Sequence, residues 1–322
     1  MNRAKLCLFL LFIFLGASAF SSDFSFELNP YTGISYGQFD EFVYSSADSS
    51  IVRSKLEWET KPLFKLGFGA KIGIKKLFLE GEGSFALPLS CGILHDSDWS
   101  EDGAIKHTYS LLEENLENFF ACSAMFHYDF DIEQVFFVCP SLLADYSHLK
   151  IKGKNGEGWF ASSSYSATGK DELWNSGHAR YYPKGKLNGI NYERYAFNLF
   201  AGINFRAKMT EKFSAELGFF IAPFSYVSVF DTHLAGKSQP DYHLNEYAFD
   251  KFSCCKMVLG SQYNFSSTLA LNCSVDFTAS KILKDSLYHN YNSENTVKSN
   301  QLAGTSFFSI DVKLGIKIKI IS

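Results

Sequence analysis

The sequence has few prolines and no long apolar run beyond its N-terminal segment, and both scarcities limit the choice of fold. With 7 Pro and 23 Gly in 322 residues, the composition excludes a collagen. No internal segment reaches the roughly 20 apolar residues that a membrane-spanning helix needs, which argues against a helical membrane bundle. The formal net charge of -4 provides no basic surface for nucleic acid, so we predict no nucleic-acid partner.

Motifs for common hydrolase and metal chemistries are also missing. The sequence contains no G-x-S-x-G nucleophile motif and no H-E-x-x-H zinc motif. The cysteines show no repeated C-x-x-C spacing, and the histidines form no ligand-spaced pair. A disulfide framework is possible, but a chain of this length does not need one. We therefore predict no metal site and no cofactor.

Aromatic and apolar residues are abundant: the sequence has 33 Phe and 17 Tyr, and 46% of its residues are hydrophobic. This composition favours a folded, strand-rich protein over a disordered one. The N-terminus resembles a secretory signal peptide over residues 1–19, with Arg3 and Lys5 before an apolar core and Ala17-Ser18-Ala19 at its end. We expect residues 20–322 to form one exported domain.

Alternation with a period of two is the strongest pattern in this domain, and it is clearest between Phe308 and Ile320. There every even position is apolar, whereas Asp311, Lys313 and Lys317 occupy odd positions. Similar patterns recur along the chain and predict ten strands, near 24–44, 63–74, 77–89, 117–130, 135–146, 194–206, 213–224, 256–265, 269–278 and 308–320. Strands this long, apolar on one side only, are typical of a membrane-crossing barrel. The predicted fold is all-β: a ten-stranded antiparallel transmembrane β-barrel.

The predicted connections alternate between short and long. We predict tight periplasmic turns at 129–134, 208–212 and 266–268. We predict long extracellular loops at 90–114, 150–189, 230–250 and 283–302. Ten strands are too few for a wide aqueous pore, and inward charges on neighbouring strands can pair. We therefore expect the functional groups at the end of the barrel that carries the long loops.

Two short groups of polar residues lie at that end. Asp96 and Asp98, in the stretch His95 to Trp99, would point to the same side of an extended chain and bring two carboxylates together. Asp231 and His233 have the same spacing, which lets a carboxylate orient an imidazole as a general base requires. Each pair alone would also be explained by solvated loop acids, by a calcium site or by coincidence.

Together, the two groups resemble the motifs of the omptins, a family of outer-membrane aspartate-histidine endoproteases. The stretch Asp96-Ser97-Asp98-Trp99 is similar to the family's paired aspartates in the second extracellular loop, and Asp231-Thr232-His233 to its Asp-x-His in the fourth. Ser54-Lys55-Leu56-Glu57-Trp58 is similar to a further family stretch, and Glu41 lies in a segment similar to the one with the substrate-binding glutamate.

The resemblance implies an endopeptidase in the bacterial outer membrane, with its active site on the extracellular side and peptides or proteins as substrates. Asp96, Asp98, Asp231 and His233 would be catalytic, while Glu41, Leu94 and Val229 would contact substrate. Members selective for dibasic sites carry a second carboxylate where this chain has Val229, so we expect a relaxed or altered preference before the scissile bond. The resemblance also implies contact with outer-membrane lipid and a requirement for lipopolysaccharide, and we expect a monomer. A barrel of the same lineage that acts as an adhesin or structural protein is the alternative.

Overall fold

The computed structural model describes residues 24–234, 242–290 and 297–321, so the predicted signal peptide lies outside the described residues. Within these ranges the chain forms a single sheet of fifteen strands. They are β1 (Phe24–Tyr44), β2 (Val52–Ile74), β3 (Leu77–Ala86), β4 (Ser90–Trp99), β5 (Lys106–Tyr128), β6 (Phe130–Ile132), β7 (Phe136–Phe160), β8 (Arg180–Leu187), β9 (Ile190–Lys208), β10 (Phe213–His233), β11 (Tyr242–Asp250), β12 (Cys254–Asn264), β13 (Leu269–Ser280), β14 (Leu283–Asn290) and β15 (Val297–Ile321). In the described part of the chain, no helix is long and apolar enough to cross a membrane.

The strands pair antiparallel in a ring of ten positions. Three of these positions are shared by two consecutive strands, because β3 and β4 both pair with β2 and β5, and the β11/β12 and β13/β14 pairs behave in the same way. β15 pairs with β1 over most of their length, so the last position returns to the first. The short strands β6 and β8 pair only with β7. The predicted ten-stranded antiparallel fold is therefore confirmed.

The predicted loops, by contrast, are longer than those in the structure, because strands continue through much of each predicted loop. β4, β8, β11 and β14 all lie in segments that were assigned to loops, and β5, β7, β10 and β15 extend into the same segments. The reason is a reversal of polarity along the barrel. On β2, Phe64, Leu66 and Phe68 are exposed on the outer face, but further along the same strand Leu56 and Trp58 are buried inside. The buried positions change from Leu56, Trp58 and Thr60 to Leu63 at a register shift opposite Ser35 and Gly37. Apolar residues therefore stay at even positions in the sequence, while the face of the strand that they occupy changes.

An apolar band surrounds the half of the barrel that carries the short turns. On β15, the exposed fractions of Phe308, Val312 and Leu314 are 40%, 41% and 49%, whereas Asp311 and Lys313 on the other face are half-buried. Beyond the band the outer face becomes polar. There Gln38 donates a hydrogen bond to Asp40 (2.7 Å).

Inside the short-turn half, buried charges pair across the barrel as the sequence predicted. Lys65 contacts Asp311, and Lys313 Nζ lies 2.6 Å from Glu82 and 3.1 Å from Asp276. Three more pairs lie on the inner face: Arg206 contacts Asp129, Lys256 contacts Asp145 and Lys317 contacts Glu27. A cavity of about 590 Å³ lies among these residues.

Aromatic side chains cross the middle of the barrel and separate this cavity from the long-loop half. Trp58 on β2 stacks on Tyr192 on β9, with ring centroids 4.7 Å apart, and both side chains are fully buried. Just beneath, Phe39 packs against Phe307, and the guanidinium of Arg194 lies 4.9 Å and 4.7 Å from these two rings. Arg194 thus packs against two aromatic rings. We call the Trp58–Tyr192 and Phe39–Phe307 layers the aromatic floor.

Candidate active site

The paired aspartates lie on β4, which forms part of the inner wall just above the aromatic floor. Their neighbours follow from strand register: Asp96 is opposite Leu56 on β2 and Ser110 on β5, and Asp98 is opposite Ser54. The hydroxyl of Ser110 donates a hydrogen bond to Asp96 Oδ2 at 3.1 Å. Because β4 is extended, both carboxylates face inward, as their spacing predicted.

A glycine allows β4 to approach β2 closely at this place. Gly92 adopts a φ of +154° at the irregularity that begins β4. A Cβ atom there would lie 2.4 Å from the backbone oxygen of Glu59. A side chain at residue 92 would therefore push apart the two strands that position Asp96.

The Asp-x-His pair lies near the end of β10, also on the inner face. His233 Nε2 is 2.8 Å from Asp231 Oδ2. Asp231 is buried with an exposed fraction of 3%, whereas the His233 side chain is 33% exposed. A buried carboxylate that contacts a more exposed imidazole can hold the ring in one orientation.

Asp96 on β4 and His233 on β10 lie close enough for the charge of each to shift the pKa of the other. Removal from water raises the pKa of Asp96 to about 7, with a further contribution from the charge of Asp98, while His233 acts in the opposite direction. Burial opposes protonation of His233, but the charge and hydrogen bond of Asp231, with Asp96 and Glu41, raise its pKa to about 9. The pKa of Asp98 is raised by burial too. These groups lie beyond the apolar band, at the height where the outer face is polar.

Glu41 lies on β1 beneath these groups, and its exposed fraction is 3%. The indole Nε1 of Trp58 donates a hydrogen bond to Glu41 Oε2 at 2.8 Å, so the aromatic floor fixes this carboxylate. Burial, followed by the negative charge of Asp231, raises the pKa of Glu41 well above its usual range. The arrangement suits a pocket in which a cation would relieve the repulsion between carboxylates.

Val229 and Leu94, the other two predicted contact residues, are both fully buried. They belong to the same apolar cluster as Trp58 and Tyr192. The structure therefore places them in the walls beneath the site.

A further carboxylate, which sequence reasoning missed, lies beside Val229. Glu246 on β11 is directly opposite Val229 in the register of β10 and β11, and its exposed fraction is 6%. Its pKa is raised well above the usual range by burial, then by the charges of Glu41 and Asp231. The signal for Glu246 is its alternation with Leu244 and Ala248, all three buried on β11, in a segment that the sequence analysis predicts to be a loop.

The site thus brings five carboxyl groups and one imidazole to the inner wall of one half of the barrel. An imidazole with an orienting carboxylate can remove a proton from water. The carboxylates opposite it can bind that water or a polar substrate group.

The chain resembles solved structures in fold. No protein-family model matches the chain, and no curated protein sequence matches it. The crystal structure of outer membrane protease OmpT from Escherichia coli superimposes with a TM-score of 0.80 over 94% of this chain and 98% of that chain, at 14% sequence identity. The translocator domain of the autotransporter NalP from Neisseria meningitidis gives a TM-score of only 0.36 at 7% identity. The fold is therefore that of outer-membrane β-barrels such as OmpT.

Proposed function

We propose that the protein is an outer-membrane endopeptidase that hydrolyses exposed peptide segments by general-base activation of water. The observation that supports this most is that the Asp231–His233 pair on β10 lies within electrostatic range of Asp96 on β4. The similarity of fold to an outer membrane protease is in accord with it.

In the proposed reaction, a water molecule lies between His233 and Asp96. His233 takes a proton from the water as its oxygen attacks the scissile carbonyl carbon, and Asp231 stabilises the imidazolium. The imidazolium then gives the proton to the leaving nitrogen as the C–N bond breaks. Asp98 acts on Asp96 through its charge, and the scheme requires neither a covalent intermediate nor a metal.

The proposed substrates carry a basic side chain next to the cleaved bond, in spite of Val229. Glu246 provides a buried carboxylate directly opposite the apolar Val229, and Glu41 provides a second buried carboxylate, on β1, whose charge acts on Glu246. The negative charge of Glu41 adds to burial in raising the pKa of Glu246, and an arginine or lysine side chain near the two carboxylates would offset that repulsion. The missing carboxylate on β10 is thus replaced from the neighbouring strand.

The proposed location is the bacterial outer membrane, with the site on the extracellular side and the protein acting as a monomer. The apolar band around the short-turn half provides a surface for lipid, and the site lies beyond it. A lipopolysaccharide requirement is retained as part of the proposal, and the experiment below includes it.

The test is cleavage of a diverse peptide library by the folded barrel, with and without lipopolysaccharide. Asp231→Ala and His233→Ala should each abolish cleavage, because they remove the base or its orienting partner. Glu117→Gln, which changes an acid on the outer surface that contacts Lys152, is the matched control and should cleave normally. A correctly folded wild-type barrel that cuts nothing under either condition would overturn the protease proposal and favour the adhesin.

A further inference from the structure

A buried group of three side chains at the short-turn end of the barrel plays no part in the proposed active site. His127 lies near the end of β5, Asp129 follows it, and Cys139 lies near the start of β7. Their exposed fractions are 3%, 5% and 2%. His127 and Asp129 are two residues apart and face the same side. The β5–β7 register pairs His127 with Ser141. If this register is continued by two residues, Asp129 lies opposite Cys139.

The donor atoms of these side chains converge on one point. One atom from each of His127, Asp129 and Cys139 lies within 4.8 Å of the other two. His127 Nδ1 and Asp129 Oδ1 are 3.0 Å apart. In a tetrahedral zinc site with bonds of about 2.0 to 2.3 Å, ligand atoms lie about 3.3 to 3.8 Å from each other. Small side-chain rotations would therefore complete the geometry.

Outer partners orient two of the three groups from behind. His127 Nε2 is 3.0 Å from Glu80 Oε1, so its Nδ1 is the nitrogen that faces the cluster. Glu80 is itself held by Lys71 at 2.7 Å. Arg206 contacts Asp129 Oδ2 and leaves Oδ1 on the side of His127. A histidine fixed by a carboxylate, and an aspartate fixed through its second oxygen, are typical of the second shell of metal sites.

We propose that His127, Asp129 and Cys139 form a binding site for a zinc ion. One imidazole nitrogen, one carboxylate oxygen and one thiolate sulfur are a donor set that Zn²⁺ accepts. The thiolate and the carboxylate together neutralise the ion. Binding releases the thiol proton and the proton that Nδ1 shares with Asp129.

The site is open to a small molecule on one side. His127 and Cys139 both line the cavity of about 590 Å³, which provides a route for the ion and room for a water molecule as fourth ligand. The ion would tie the turn after β5 to the start of β7. The site was not visible in the sequence because its third ligand comes from the neighbouring strand.

The first experiment measures zinc binding by the folded full-length protein in detergent micelles. After treatment with EDTA, zinc is titrated in competition with a chromophoric chelator. We expect one zinc per wild-type chain, loss of this binding in His127→Ala and Cys139→Ala, and a weakening of roughly 10- to 100-fold in Glu80→Gln. Cys122→Ala, which removes an exposed thiol from β5, is the matched control and should bind as wild type.

The second experiment needs no variant and so is independent of their folding. Wild-type protein loaded with Co²⁺ should show a thiolate-to-metal charge-transfer absorption in the near ultraviolet, because Cys139 would ligate the ion. Absence of stoichiometric zinc binding by the folded wild type would overturn the proposal. So would a cobalt complex without this absorption, or wild-type binding by the His127 and Cys139 variants.

Discussion

The pH dependence of peptide cleavage should show two ionisations, both above the usual range of their side chains. The general base must be neutral, and the pKa of His233 is raised to about 9. At pH 7 about 1% of His233 is then unprotonated, and about half is unprotonated at pH 9. Asp96, with a pKa raised to about 7, must be ionised to hold the water in the proposed scheme. Because both shifts are upward, the active form accumulates only as the pH rises.

The expected profile follows from these two values. kcat/KM should rise about tenfold per pH unit between pH 7 and 9, and more steeply below pH 7, where both groups must lose a proton. Asp98→Asn removes a charge that raises the pKa of Asp96, so the steep region should move to lower pH, and the limb near pH 9 should move less because Asp98 is not among the main causes of the raised pKa of His233. The electrically equivalent change Glu117→Gln, on the outer surface, should move neither.

The assay is cleavage of a fluorogenic peptide at substrate concentrations far below KM, from pH 5.5 to 10, with the fold verified at each end. A rate that is constant from pH 6 to 9, or that is maximal below pH 7, would refute the assignment of His233 as the base. A profile of Asp98→Asn identical to that of the wild type would refute the electrostatic coupling between the two aspartates.

Three further outcomes are expected. Glu246→Gln should lower kcat/KM roughly 10- to 100-fold for peptides with arginine or lysine before the cut, with little change for neutral ones, as a side-by-side peptide series would show. Trp58→Phe removes the donor to the buried Glu41 and should lower the free energy of unfolding by about 1 to 3 kcal/mol in urea titrations. Leu314→Arg places a charge in the apolar band and should lower the free energy of unfolding in lipid vesicles by about 2 to 4 kcal/mol. Gln38→Arg, beyond the band, should lower it by about 0 to 1 kcal/mol.

The ten positions of the ring could be predicted from the sequence because the strands that cross the apolar band follow one simple rule. Every strand must present apolar residues outward across the band, as Val312 and Leu314 do, and its inner face is then polar. Beyond the band the rule no longer applies. Leu56 and Trp58 then point inward and Lys55 and Glu57 outward, because a register shift between Thr60 and Leu63 exchanges the two faces. Alternation alone does not show this exchange.

The candidate site was partly predictable for a similar reason. Asp96 with Asp98, and Asp231 with His233, are local pairs, and spacing alone places each pair on one face of a strand. Glu246 and Val229 are distant in sequence and become neighbours only through the register of β10 and β11. Spacing carries no information about such cross-strand contacts, and the zinc ligand Cys139 was missed for the same reason.

The aromatic floor gives the proposed cleft a single mouth. Trp58 and Tyr192 meet from opposite walls and are fully buried, so a bound peptide has no exit below them. Both ends of a cleaved segment must leave by the way the intact segment entered. A substrate therefore reaches the catalytic groups as a bent loop, which makes flexible surface loops better targets than compact regions and lets fresh substrate and departing product compete for one opening.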